Sequence, residues 1–191
     1  MGAMKNVLKT GGLVALAVAL SCGAARGAGV TATLKGGYFA PSDSVFKDVY
    51  SGGLTFGADV TVPIGGVFRA WAGAELFSKT GLLTISEEET KVRIIPLYLG
   101  LRCEFGQGAL RPYLGAAAAY FLFHEENLLG SVSDGGLGFL TQAGVLVRLG
   151  GPVWIDVHVG YRGCTLKSDG DDPVEAKLDG FSAGLGLAFR F

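Results

Sequence analysis

Hydrophobic residues alternate with polar or small residues in eight segments of this chain. In residues 54–62, LTFGADVTV, for example, every second side chain is hydrophobic. A period of two over this length indicates a β-strand whose two faces meet different environments. The predicted strands cover residues 30–39, 54–62, 67–77, 91–105, 110–123, 137–149, 153–161 and 178–191.

The connections between these segments alternate in length. Short turns rich in Gly fall at 63–66, 106–109 and 150–152, whereas long polar connections fall at 40–53, 78–90, 124–136 and 163–177. In an antiparallel barrel, alternate connections lie at opposite ends. Short turns at one end and long loops at the other are typical of outer-membrane barrels. The sequence therefore predicts an all-β protein, an eight-stranded antiparallel transmembrane up-and-down β-barrel.

The N-terminal residues resemble a secretory signal. Lys5 and Lys9 precede an apolar run at 13–20, and small residues follow. We predict a cleaved signal peptide over residues 1–28 and a transmembrane β-barrel over residues 29–191. Lipidation at Cys22 is an alternative, although Ala19 stands where a lipoprotein motif usually has Leu.

Composition narrows the class of protein further. Mean hydropathy is +0.42, yet no run of 18 apolar residues follows the N-terminus, which argues against a helical membrane protein. The net charge is −1, whereas a nucleic-acid-binding protein usually carries a strongly basic surface. Export permits disulfides. However, Cys103 and Cys164 fall at opposite ends of the predicted barrel, so we expect free thiols.

A soluble lipocalin-like barrel would show the same alternation with its hydrophobic face inside. An eight-stranded barrel has room inside for little more than small and paired side chains. Aromatic residues of the hydrophobic face also gather at both strand ends, as lipid–water belts do. We therefore predict that this face meets lipid. The two belts are Tyr38, Phe56, Tyr120, Phe139, Tyr161 and Phe181, and Phe68, Phe105, Phe189 and Phe191.

Three stretches resemble small OmpA/OmpX-like outer-membrane β-barrels. Residues 110–116, LRPYLGA, resemble the RPYLGAG segment of that family, and residues 95–102, IPLYLGLR, resemble the strand preceding it. The C-terminal run resembles the strand by which such barrels are recognised for assembly, through Phe181, Leu185, Leu187, Phe189 and Phe191. The resemblance implies a location in the bacterial outer membrane and contact with the barrel-assembly machinery.

The opposite face of the strands carries charged and polar residues that the barrel would enclose. Buried charges must be paired, so we expect a polar network that plugs the lumen. A narrow porin-like channel that favours anions is the alternative, because basic residues outnumber acidic ones. The predicted inward set is Lys35, Asp59, Arg69, Glu75, Arg93, Arg102, Glu104, Arg148, Asp156, His158, Arg162 and Arg190.

Asp156 and His158 share one strand face, and Ser182 lies on the next strand, a combination that invites a hydrolase hypothesis. We expect the register to place Ser182 nearer Gly160 than His158, so no enzyme is predicted. Acidic runs at 87–89, 125–126 and 169–172 are expected to be solvated, with weak binding of divalent cations as the alternative. No metal and no cofactor are predicted.

These observations favour an integral outer-membrane protein with a structural or surface-interaction role. A narrow channel, a soluble periplasmic binding barrel and a lipid-modifying enzyme are the alternatives. The expected partners are outer-membrane lipid, lipopolysaccharide and the assembly machinery, with no nucleic acid. We expect a monomer.

Overall fold

The computed structural model describes residues 29–43, 47, 51–82, 89–127, 130–167 and 175–191. The predicted signal peptide and Cys22 lie outside these residues. The strands are β1 Thr31–Pro41, β2 Gly53–Gly65, β3 Phe68–Leu82, β4 Glu89–Glu104, β5 Leu110–Asn127, β6 Gly130–Gly150, β7 Val153–Lys167, β8 Glu175–Lys177 and β9 Gly180–Arg190.

Eight of these strands form a closed barrel in which each strand pairs with its neighbours in an antiparallel manner. β1 pairs with both β2 and β9, and β9 pairs with β7, which closes the ring. The short β8 pairs with β7 alone and lies outside the ring. The predicted eight-stranded up-and-down barrel is confirmed. Closure leaves none of its strands with a free edge, as a membrane span requires.

The strands extend past their predicted limits at the long-connection end. Residues 124–136 were predicted to be a loop, and this prediction was wrong. β5 and β6 continue to pair there, from His124 opposite Ser133 to Asn127 opposite Gly130. Beyond the bilayer, both strand faces meet water, so hydrophobic alternation stops although backbone pairing continues. Of the acidic runs, Glu125 lies on this hairpin, whereas residues 87–88 and 169–172 lie outside the described residues.

The two faces of the barrel differ sharply. Leu99 and Leu137 on the outside are 68% and 78% exposed, whereas Arg102 and Asp156 on the inside are fully buried. A hydrophobic exterior around charged side chains is the arrangement of a membrane barrel, not of a lipocalin, so the soluble alternative is excluded. The belt near the short turns lies at the strand ends, whereas β5 and β6 continue past the other belt. The belt members Tyr38, Phe56, Tyr120, Phe139, Phe181, Phe68, Phe105 and Phe191 are exposed.

Among the described residues, no helix is long and apolar enough to cross a bilayer.

Candidate functional site: the barrel interior

Asp59 on β2 is the acceptor at the centre of the interior. Its Oδ2 accepts hydrogen bonds from Trp71 Nε1 at 3.0 Å and from Tyr98 Oη at 3.4 Å. Lys35 forms an ion pair with the same oxygen, and Arg102 Nη2 lies 3.3 Å from it. All five side chains are buried. One carboxylate is thus shared by two cations, which come from β1 and β4.

Asp156 on β7 is a second acceptor, on the far wall of the barrel. Tyr113 Oη donates to Asp156 Oδ1 at 2.7 Å, and Lys35 Nζ lies 3.8 Å from Asp156 Oδ2. Lys35 thus contacts both acceptors. Gln142 joins the two cations, because its Oε1 accepts from Lys35 Nζ at 3.0 Å and from Arg102 Nη2 at 3.1 Å. A continuous set of polar contacts therefore crosses the barrel from β2 to β7.

The Arg102 guanidinium lies between two aromatic rings. Its central carbon is 4.1 Å from the Tyr113 ring centre and 4.9 Å from that of Trp71. Cation–π attraction adds to the ion pair with Asp59, and a planar guanidinium suits both contacts better than an ammonium would. We call Lys35, Asp59, Trp71, Tyr98, Arg102, Tyr113, Gln142, Asp156 and His158 the central polar layer.

Two further ion-pair groups lie above and below the central polar layer. Toward the short turns, Glu104 pairs with Arg69 at 3.0 Å and with Arg190 at 3.2 Å. Toward the long connections, Arg162 Nη1 lies 3.3 Å from Glu75 Oε2. Each of the three levels thus contains both carboxylates and cations, and each joins residues from different strands.

The structure brings most of the predicted inward set together, with two exceptions. Arg148 is exposed at the short-turn end, and its guanidinium carbon lies 6.0 Å from the Trp154 ring centre. Arg93 lies on the outer face of β4, so its predicted inward position was wrong. Val92 and Ile94 point inward beside it and are fully buried. Hydrophobic residues occupy both faces of β4 there, so polarity does not indicate which face is which.

The barrel also encloses a hydrophobic layer, which the sequence pattern did not predict. Above the central polar layer, the interior is filled by Phe39, Phe77, Val92, Ile94, Phe121, Leu140 and Leu178. The space between Phe39, Phe77, Phe121 and Arg162 is too narrow to hold a water molecule. The Arg162 guanidinium carbon lies 3.9 Å from the Phe39 ring centre. We call these seven residues the inner hydrophobic layer.

The residues of the hydrolase hypothesis do not form a triad. Ser182 lies opposite Gly160, as the expected register had it, whereas His158 lies opposite Gly184. His158 Nδ1 is 3.5 Å from Asp156 Oδ2, and the absence of a side chain at Gly184 leaves room for the imidazole, since a Cβ there would lie 2.9 Å from His158 Nε2. His158 is therefore placed as a member of the central polar layer.

No cluster that could hold a metal is formed by the described His, Cys, Asp and Glu side chains. Cys103 and Cys164 are free thiols, the first half-buried on the outer face and the second buried inside. The short-turn end and the long-connection end thus each carry one thiol, as predicted.

Gly144 on β6 makes room for the Tyr113 ring. A Cβ at Gly144 would lie 2.6 Å from Tyr113 Cζ and Oη. We expect Gly144→Ala to displace the ring from Asp156 and to lower the free energy of unfolding by about 2 kcal/mol. Gly36→Ala is the control, because its Cβ would lie 3.9 Å from the Phe56 ring, an ordinary contact. Urea titration in lipid vesicles measures both, and equal effects would contradict the assignment.

No family model matches the sequence, and a comparison with curated proteins found no match. Solved structures do match. Neisserial surface protein A superposes with a TM-score of 0.63 at 14% identity, covering 85% of this chain and 97% of that one. The outer membrane protein OprG from Pseudomonas aeruginosa gives 0.63 at 14% identity, covering 86% and 96%. Outer Membrane Protein W of E. coli gives 0.53 at 18% identity, covering 86% and 98%.

These comparisons define the class of protein. At 14% to 18% identity, the likeness is one of fold, and that fold is the small outer-membrane β-barrel. The resemblance to OmpA/OmpX-like barrels is thereby confirmed for the architecture. Together with the hydrophobic exterior, the fold places the chain in the bacterial outer membrane, in contact with its lipid.

Proposed function

We propose that the chain is an integral outer-membrane protein with a structural or surface-interaction role, and that its interior does not conduct solutes. The observation that carries the proposal is the packing of the interior. The central polar layer is buried and joined by ion pairs and hydrogen bonds across the barrel. The inner hydrophobic layer lies above it.

Both layers oppose the passage of ions. An ion that crosses the central polar layer must separate Lys35 and Arg102 from Asp59, and separating a buried pair leaves an uncompensated charge that costs about 3–5 kcal/mol. The inner hydrophobic layer leaves no space for a water molecule, and the one arginine beside it, Arg162, is paired with Glu75. Hydrophobic constrictions block conduction by excluding water. Together they make two barriers in series.

Planar-bilayer recording tests the proposal. We expect the refolded protein to give no conductance steps above the background of the bilayer, even at about 1 M salt, where the Debye length is only about 3 Å. Insertion is verified in the same preparation by the shift of the folded band on an unheated gel. Sustained ohmic steps from inserted protein would contradict the proposal and support the narrow channel, whose anion preference a salt gradient would then measure.

The long-connection end supports a surface-interaction role. β5 and β6 continue beyond the aromatic belt to Asn127 and Gly130, so this hairpin projects from the bilayer. Outer-membrane barrels place their long connections outside the cell. The proposal therefore includes contact of this end with lipopolysaccharide, whose divalent cations could bridge to acidic side chains such as Glu125.

The last strand supports recognition by the barrel-assembly machinery. Phe181, Leu185 and Leu187 are exposed on the outer face of β9, and Phe191 follows the strand in the same alternation. Phe189 also belongs to this outward series and is half-buried. Before the barrel closes, a terminal strand with this pattern presents a row of hydrophobic side chains on one of its faces. The proposal includes a monomeric state, because closure pairs every strand of the barrel within one chain.

A further inference from the structure

Four arginines gather at the short-turn end of the interior. The guanidinium carbons of Arg111, Arg190 and Arg148 lie 5.1, 5.8 and 6.0 Å from the ring centre of Trp154. Arg69 joins them through Glu104, which it shares with Arg190. We call Arg69, Arg111, Arg148, Arg190 and Trp154 the mouth cluster. It belongs to neither of the two layers that close the interior.

The mouth cluster has too few anions for its cations. Glu104 is the one carboxylate that the described residues bring within ion-pair distance of these arginines, and both its bonds go to Arg69 and Arg190. Arg111 donates instead to the carbonyl oxygens of Gly108 and Gln107, at 3.4 and 3.3 Å.

Arg148 is the exposed member of the mouth cluster and has no carboxylate partner among the described residues. Arg111, Arg148 and Arg190 all lie within 6.0 Å of one ring centre, that of Trp154, so their positive charges repel one another. Like charges repel one another even near a protein surface. A bound anion would remove that repulsion.

We infer that the mouth cluster is a binding site for a phosphate group. A guanidinium offers paired N–H donors that match the oxygens of phosphate, so Arg111 and Arg148 can each bind two oxygens. The Trp154 ring is buried and holds the guanidinium groups on its faces by cation–π attraction, which limits their motion before the ligand arrives. The short turns of outer-membrane barrels face the periplasm, so the site opens there.

The phosphate group could come from a soluble ion or from the headgroup of a phospholipid in the inner leaflet. Both sources share the chemistry that the arginines recognise. The inference goes beyond the proposed function, because anion binding at this end requires neither conduction nor contact at the long-connection end.

Isothermal titration calorimetry with inorganic phosphate tests the site on the refolded protein in detergent. Ionic strength is held constant with chloride. We expect saturable binding that is at least tenfold weaker in an Arg111→Gln, Arg148→Gln double variant, since neither arginine pairs with Glu104. Arg93→Gln is the control, because it makes the same kind of substitution on the outer face, and it should leave the affinity unchanged. Each single variant, Arg111→Gln and Arg148→Gln, removes the same charge as this control and should weaken binding.

Nanodiscs distinguish the two sources. The phosphate of phosphatidylcholine is neutralised by its own choline, whereas that of phosphatidylglycerol carries an uncompensated negative charge. A headgroup site therefore predicts that phosphatidylglycerol, compared with phosphatidylcholine alone, raises the melting temperature of the wild type and of Arg93→Gln but not of the double variant. A site for soluble phosphate predicts saturable calorimetric binding with no such difference between lipids. Absence of both effects, or equal effects in the double variant, would overturn the inference. The gel shift of each variant verifies that it has folded.

Discussion

Replacing Asp59 by Ala is expected to lower the free energy of unfolding by about 3 kcal/mol, because two cations would lose their shared partner. Lys35 and Arg102 are both buried beside Asp59, and Trp71 and Tyr98 donate to the same carboxylate. Urea titration in lipid vesicles, followed by tryptophan fluorescence, measures the loss. Trp71 reports directly, since its indole nitrogen is one of the groups released.

Two control variants show whether the loss of stability comes from the charge of Asp59. One keeps the volume of the side chain, and the other removes a carboxylate elsewhere. Asp59→Asn keeps the side-chain size and removes the charge, and we expect it to retain less than half of the stabilisation. Glu125→Ala removes a carboxylate from the projecting hairpin and should change the free energy of unfolding by less than about 0.5 kcal/mol. If both Asp59 variants unfolded like the wild type, Asp59 would not be the centre of the interior.

The barrel could be predicted from sequence because the alternation that indicates each strand arises within that strand alone. Lipid on one side and a narrow polar interior on the other impose alternation on each strand separately, so residues 54–62 alone indicate a strand that the structure extends to Gly53–Gly65. The short turn near Gly65 and Gly66 was equally clear, since both adopt a positive φ that favours glycine.

The alternation of hydrophobic and polar residues did not predict the structure where the two faces of a strand meet similar environments. On the projecting part of β5 and β6, both faces meet water, and the strands were predicted to end too early. Near Arg93, hydrophobic residues lie on both faces, because the inner hydrophobic layer meets the lipid-facing surface across one strand. Neither exception leaves a period of two in the sequence.

The partners within the interior could not be predicted, although most of its residues were. Lys35 contacts Gln142, which is 107 residues away in the sequence. That contact depends on the stagger accumulated around the closed ring, which no single strand encodes. The contact of Glu104 with Arg190 of the mouth cluster has the same origin, since Arg190 reaches it from β9.

The central claim is that the hydrophobic outer face spans a bilayer, and a pair of arginine substitutions tests it most directly. Leu101 is 51% exposed and lies midway along the hydrophobic part of β4, whereas Leu149 is 61% exposed and adjoins the turn after β6. Arginine on the lipid face costs about 2–4 kcal/mol at the bilayer midplane and about 0–1 kcal/mol near the interface.

Reversible unfolding in lipid vesicles measures both variants against the wild type. The account predicts that Leu101→Arg loses at least about 2 kcal/mol of unfolding free energy, while Leu149→Arg loses less than about 1 kcal/mol. The two residues have similar exposure, so only depth in the bilayer separates them. Equal and small effects, with protein that stays folded in buffer without lipid or detergent, would contradict a membrane-spanning barrel.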